Sequence, residues 1–146
     1  MDKQDAQRAP MQDEDLSENE RRLLHFTLDC LHGDNEQLID EYVVPDYIQH
    51  THGIGQGREG LRRYIKAVPW RRPGRHQVEI IHLLAAGDLV VLHKLIPAAM
   101  IVDIMRFDEQ HRFVEHWDVV QRLPAPGAGP RSLSSEDFTR FKTLFA

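Results

Sequence analysis

The apolar positions of this chain fall into two regimes. Up to about residue 68 they recur at helical spacing, and from residue 77 onward they run in the short stretches typical of β-strands. Ser17-Glu18-Asn19-Glu20 has the form of a capping box, in which the Ser oxygen accepts from the backbone three residues on and the Glu reaches back, so a first helix is expected to start there. Leu24, Leu28 and Leu31 share one face of it, with Leu23, Phe26 and Cys30 alongside, and Gly33 suits the position that stops it. Asp34 to Gln37 reads as a second cap. Leu38, Ile39, Tyr42 and Val43 then predict a short second helix ended by Pro45. Residues 46–51 are expected as a short strand or extended loop, and Gly53, Gly55, Gly57 and Gly60 mark a turn. A third helix is expected over 59–68, with Leu61, Tyr64, Ile65 and Val68 inward.

Four strands are predicted over 77–85, 89–96, 99–107 and 112–122, all rich in Val, Ile, Leu and Phe. Their separators are short, which makes neighbours antiparallel. Residues 1–16 are polar and aperiodic, a disordered tail. Residues 123–133 are a Pro/Gly linker, and 134–146 form a C-terminal helix with Phe138, Phe141 and Phe145 on one face. The expected organisation is one α+β domain over 17–122, a curved antiparallel sheet wrapped around N-terminal helices with an apolar pocket between the layers.

Composition narrows the function classes. The chain has 146 residues and a formal charge of −5 with neutral His. With a pI near 6.0 it lacks the basic face of a nucleic-acid binder. The longest apolar run, 95–102, contains Pro97 and is too short to cross a bilayer. The first residues, Met-Asp-Lys-Gln-Asp-Ala-Gln-Arg, carry no apolar segment of a secretory signal. One cysteine, Cys30, excludes an intramolecular disulfide framework. A soluble, cytoplasmic protein is expected.

The candidate chemistry lies on the last hairpin. A tight turn near Glu109-Gln110 gives a register in which Asp103 faces His116, Met105 faces Val114 and Ile101 faces Asp118. Side chains alternate across a strand, so Asp103, His116 and Asp118 share one face with Ile101, Met105, Val114 and Val120. The other face would carry Ile104, Phe113, Trp117 and Val119, an apolar stripe suited to homodimer packing. A carboxylate on an apolar wall becomes a usable acid or base near neutrality, and a neighbouring imidazole can orient it or share its proton. The bland alternative is a charge cluster that only fixes strand register.

The other histidines are less informative. His50 follows Tyr47-Ile48 and is expected to point inward, whereas His52 belongs to a solvated loop. A metal reading of His50-Thr51-His52 lacks the nearby third ligand that an open metal site needs, so no metal is expected. A two-residue turn at Gly87-Asp88 sets His82 opposite His93. His82 reads as structural and His93 as a pocket residue, on a sheet face the sequence leaves open. Arg71, Arg72 and Arg75 form a solvated basic turn, and the glycine-rich stretch lacks the Lys-Ser/Thr of a phosphate loop.

Several stretches taken in order resemble a known family. They are Tyr47-Ile48-Gln49-His50 before Gly57-Arg58-Glu59-Gly60, then Gly87-Asp88-Leu89-Val90-Val91, Asp103-Ile104-Met105-Arg106-Phe107, and Val114-Glu115-His116-Trp117-Asp118-Val119-Val120-Gln121. Over roughly 17–122 they resemble the SnoaL-like polyketide cyclases of the nuclear-transport-factor-2-like superfamily. The resemblance implies a cone-shaped α+β barrel, usually dimeric, with a deep apolar pocket. It implies aldol cyclisation or isomerisation of a polyketide-like carbonyl compound without metal or cofactor. It places the acid/base aspartate at Asp118; read on the residues themselves, His116 and Asp103 are expected to tune it, with His50, His93 and Met105 toward the substrate. The Pro-rich segment and final helix depart from that pattern. The alternative is a cone-fold dimer that binds a small molecule without turnover.

Overall fold

The computed structural model describes residues 13–68, 78–97 and 99–123. The expected linker and C-terminal helix, the basic turn with Arg71, Arg72 and Arg75, and the start of the first long strand at residue 77 lie outside the described residues. Of the expected disordered tail, residues 1–12 also lie outside the described residues, whereas Asp13–Asp15 form a 3-10 turn and Leu16 is buried.

The capping box forms as the spacing predicts. Ser17 Oγ accepts from the Glu20 backbone N–H, and the Glu20 carboxylate accepts from the Ser17 backbone N–H at 2.8 Å. Helix α1 spans Glu18–His25, then continues as a π-helical segment over Phe26–Leu31. The wider turn is marked by the His32 N–H donating to the Thr27 carbonyl, five residues back. Gly33 follows, where a Cβ would collide with the Asp29 carbonyl oxygen. Helix α2 covers Gln37–Tyr42.

Val43 opens strand β1 rather than closing the second helix, and β1 runs Val43–Gln49 with Pro45 inside it. Proline is tolerated because β1 is an edge strand, where a missing N–H costs no central ladder bond. Helix α3 spans Gly57–Ala67 and buries Leu61 and Ile65. Its Gly60 lies so close to Gly55 that a Cβ would strike the Gly55 backbone.

Strands β2 (Glu79–Ala86), β3 (Leu89–Ile96), β4 (Ala99–Phe107) and β5 (Phe113–Arg122) complete one sheet in the order β1-β5-β4-β3-β2. The four predicted strands pair antiparallel as expected. Strand β1 joins β5 in parallel, so the sheet is mixed and not wholly antiparallel. The helices and the inward sheet residues share one core, and the architecture is α+β.

Phe113 is the hub of that core. Its ring makes edge contacts with Phe26 and Phe107 at centroid distances of 5.1 and 5.2 Å, and Tyr42 lies 5.9 Å away. This corrects its expected place on the outer stripe. Arg106 pairs with Glu115 while Phe107 pairs with Phe113, which leaves Val114 as an extra residue. The bulge turns Phe113 inward and adds one residue to the register, and the turn, one residue longer than expected, adds another, so the rest of the hairpin is shifted by two. Among the described residues no helix is long and apolar enough to cross a membrane.

Candidate active site

Beyond the bulge the pairs are Asp103 with Asp118, Met105 with His116 and Ile101 with Val120. A shift of two preserves the face, so Asp103, His116, Asp118 and Met105 still point into the molecule, though Asp103 now faces Asp118 and not His116. All four line a cavity of about 100 Å³ between the sheet and the helices. Leu23 from α1, Leu61 and Tyr64 from α3, and Ile54 supply much of the opposite wall. The π-helical segment contributes Phe26, Thr27 and Leu31. The walls are predominantly apolar, which is what makes the few polar groups consequential.

Those polar groups form a chain of contacts. Lys94 Nζ lies 2.8 Å from Asp103 Oδ2, and both side chains are almost fully buried. Asp103 Oδ1 is 3.0 Å from His116 Nε2, and His116 Nδ1 is 2.9 Å from Gln49 Oε1. The Thr51 N–H also donates to Gln49 Oε1, which identifies that atom as the amide oxygen. An amide oxygen only accepts, so His116 Nδ1 carries a proton and donates it. The second imidazole nitrogen faces the carboxylate, and the His116–Asp103 contact holds one proton in play.

Burial by itself would raise the Asp103 carboxyl, but the Lys94 ammonium and the His116 contact outweigh it and hold the group down to about 2. The Lys94 ammonium thus offsets the crowding of the Asp103 carboxylate against Asp118. The same ammonium acts on His32, which burial and the Lys94 charge push down to about 4, so His32 is neutral. Two phenols border the site. Burial, then the nearby Asp103 and Asp118 charges, raise Tyr47; burial, then Asp118 and Asp103, raise Tyr64. Both remain protonated donors near neutrality.

Asp118 differs from its neighbours. It is half-buried on the apolar wall and makes no hydrogen bond or ion pair among the described residues. Ligand atoms of Asp103, His116 and Asp118 lie within 4.8 Å of one another, close enough to converge on one cation. The Lys94 ammonium already neutralises Asp103 and would repel a divalent ion there, so these residues fit an acid/base cluster better than a metal centre.

Two expected site residues lie elsewhere. Tyr47 and Gln49 are buried in β1, so alternation sends His50 to the other side. The His50 ring stacks on Trp117 at 4.8 Å, and its Nε2 lies 2.8 Å from Glu115 Oε1 on the outer face. In β3 the buried residues are Val90, Leu92, Lys94 and Ile96, so His93 also faces outward, where it meets His82. Neither lines the cavity. Lys94, Gln49, Tyr47 and Tyr64 were not expected in the site. Lys94 had a readable signal: it stands at the same parity as Val90, Leu92 and Ile96, a charge at a core position of an apolar strand.

No protein-family model and no curated protein matches the chain. Solved structures do match by fold. An NTF-2-like protein from Burkholderia xenovorans LB400 aligns at TM-score 0.58 and 20% identity, over 75% of this chain and 89% of that one. A putative isomerase of the SnoaL-like family from Agrobacterium tumefaciens aligns at 0.54 and 11%, over 70% and 97%. An epoxide hydrolase of the LEH-like type from M. tuberculosis aligns at 0.50 and 18%, over 70% and 82%. At such identities the likeness shows the fold alone, an α+β cone of the NTF-2-like kind, which is the fold the resemblance implied.

Proposed function

We propose that this chain is an acid/base enzyme of the isomerase or aldol-cyclase type that works without metal or cofactor on a small carbonyl compound. The observation that carries the reading is Asp118, a carboxylate with no partner among the described residues, on the apolar wall of a cavity, within 4.8 Å of Asp103 and His116. A carboxylate in such surroundings can take a proton from carbon next to a carbonyl. In the proposed reaction Asp118 removes that proton and an enolate forms. A half-buried donor at the cavity, the Tyr64 phenol, stabilises the oxygen, and His50 has no part. Protonated Asp118 then returns the proton, either to a second carbon in isomerisation or to the alkoxide formed by ring closure. Lys94, Asp103 and His116 fix the charge around it. The cavity suits a small ligand, and a polyketide-like substrate would extend past the rim, where Val120 is half-exposed.

A homodimer packed through the outer sheet face belongs to the same reading. Ile104, Trp117 and Val119 lie there, and Val119 is 65% exposed. The test of the chemistry is deuterium exchange into activated cyclic ketones and polyketide-like carbonyl compounds. Wild type should exchange the α-protons, and Asp118→Asn, matched in size, should lose about 10²–10⁴ of the rate. Equal exchange by wild type and Asp118→Asn would remove Asp118 as the base. Ligand binding without any exchange would favour the non-catalytic binding protein.

A further inference from the structure

The two outward histidines form a second, separate constellation. Ile80 pairs with Lys94 while His82 pairs with His93, which leaves Ile81 as an extra residue in β2. That bulge puts His82 on the outer face directly across from His93. The two Nδ1 atoms stand 3.1 Å apart, and the rings lie within 20° of parallel. We infer that this cross-strand pair is a binding site for a late first-row divalent metal ion, of the zinc, nickel or copper class, on the outer face of the sheet.

Metal–imidazole bonds of about 2.0–2.1 Å place two ligand nitrogens about 2.9 Å apart at a right angle and about 3.4 Å apart at a tetrahedral angle. The observed 3.1 Å falls between these limits. Both imidazoles stand on hydrogen-bonded strands, so the backbone holds the spacing. A modest turn of each ring about its side-chain bonds aims both lone pairs at one ion. Without an ion the facing nitrogens share a single proton, one donating and the other accepting. Imidazole nitrogen suits zinc, copper and nickel, whereas magnesium and calcium prefer oxygen ligands. His93 faces Val102 on β4. With two protein ligands from one chain the site is more weakly held than a three-ligand centre, and water, or the same two histidines of a second copy where chains pair through this face, completes the coordination.

The site shares no residue with the acid/base cluster, so its fate is independent of the proposed enzyme activity. The test is calorimetric titration of the untagged full chain with Zn²⁺ and Ni²⁺ in a non-chelating buffer. One ion per chain, or one per two chains, is expected. His82→Ala and His93→Ala should each weaken binding by at least the roughly 10–100-fold that loss of an outer-shell partner already costs. His82→Gln guards against misfolding, because it keeps the bulk of the side chain but loses the imidazole and should lose binding too. Nitrogen-15 spectra should show the His82 and His93 ring resonances moving together on addition of Zn²⁺, with His50 unmoved. Absence of binding to wild type overturns the inference. So does binding that survives both histidine substitutions, or that is lost on Asp118→Asn alone, which would put the ion in the cavity.

Discussion

Replacing Lys94 with Met isolates the most consequential interaction of the cavity. In the native chain the ammonium lies 2.8 Å from Asp103 Oδ2 with almost no solvent on either group. Removing one partner of a buried pair leaves an uncompensated charge and costs about 3–5 kcal/mol. The native ledger points the same way. The Asp103 carboxyl goes from 3.8 to about 2, and at about 1.4 kcal/mol per unit of pKa that depression corresponds to roughly 2–3 kcal/mol. Because the folded value lies below the unfolded one, this stability is present above about pH 4 and is lost as pH falls toward 2. In Lys94→Met burial again dominates, and the Asp103 value rises above its native one. The gap between wild type and variant should therefore be full at neutral pH and close as the solution is acidified through the variant's Asp103 value. Urea unfolding from pH 7 to pH 3 reads this directly. Adding Asp103→Asn to Lys94→Met removes the stranded charge and should recover most of the loss. A gap that does not change with pH, or a double variant no more stable than the single one, would mean that Lys94 does not compensate the buried Asp103 charge.

Phe113→Ala should cost about 3–5 kcal/mol in the same unfolding assay, since a fully buried ring contacting Phe26, Phe107 and Tyr42 leaves a cavity at the centre of the core. A cost below about 1 kcal/mol would return it to the surface stripe. Light scattering should give twice the 17.0 kDa chain mass, and Val119→Asp, a charge at the exposed outer face, should shift the protein to monomer. A monomeric wild type at micromolar concentration would remove sheet-to-sheet pairing.

What the sequence revealed depended on how local the cause was. The capping box involves only Ser17 and Glu20, and both of its hydrogen bonds are formed. The common face of Asp103, His116 and Asp118 survived a wrong register because the Val114 bulge and a longer turn moved the strands by an even number of residues. Phe113 lies on the other side of that bulge, so the same irregularity reversed its direction. His50 and His93 failed for a different reason. Each was judged by its own chemistry, whereas buried neighbours decide by alternation, Gln49 for His50 and Leu92 with Lys94 for His93. The parallel pairing of β1 with β5 was beyond local reading altogether, because it joins residues more than sixty positions apart and rests on how the helices return the chain.

The π-helical turn at Phe26–Leu31 gives the cavity a property of a different kind. Its backbone bonds close over five residues instead of four, so this wall depends on the number of residues in the turn as well as on their identity. Deleting one residue there would let the segment tighten to an ordinary α-helix and retract or rotate Phe26, Thr27 and Leu31 relative to the cavity. Lys94, Asp103, His116 and Asp118, all on the sheet, would keep their places. Chain length in one helical turn is thus a means of changing which guests fit while the charged groups stay constant, a route to altered selectivity that substitutions on the strands do not offer.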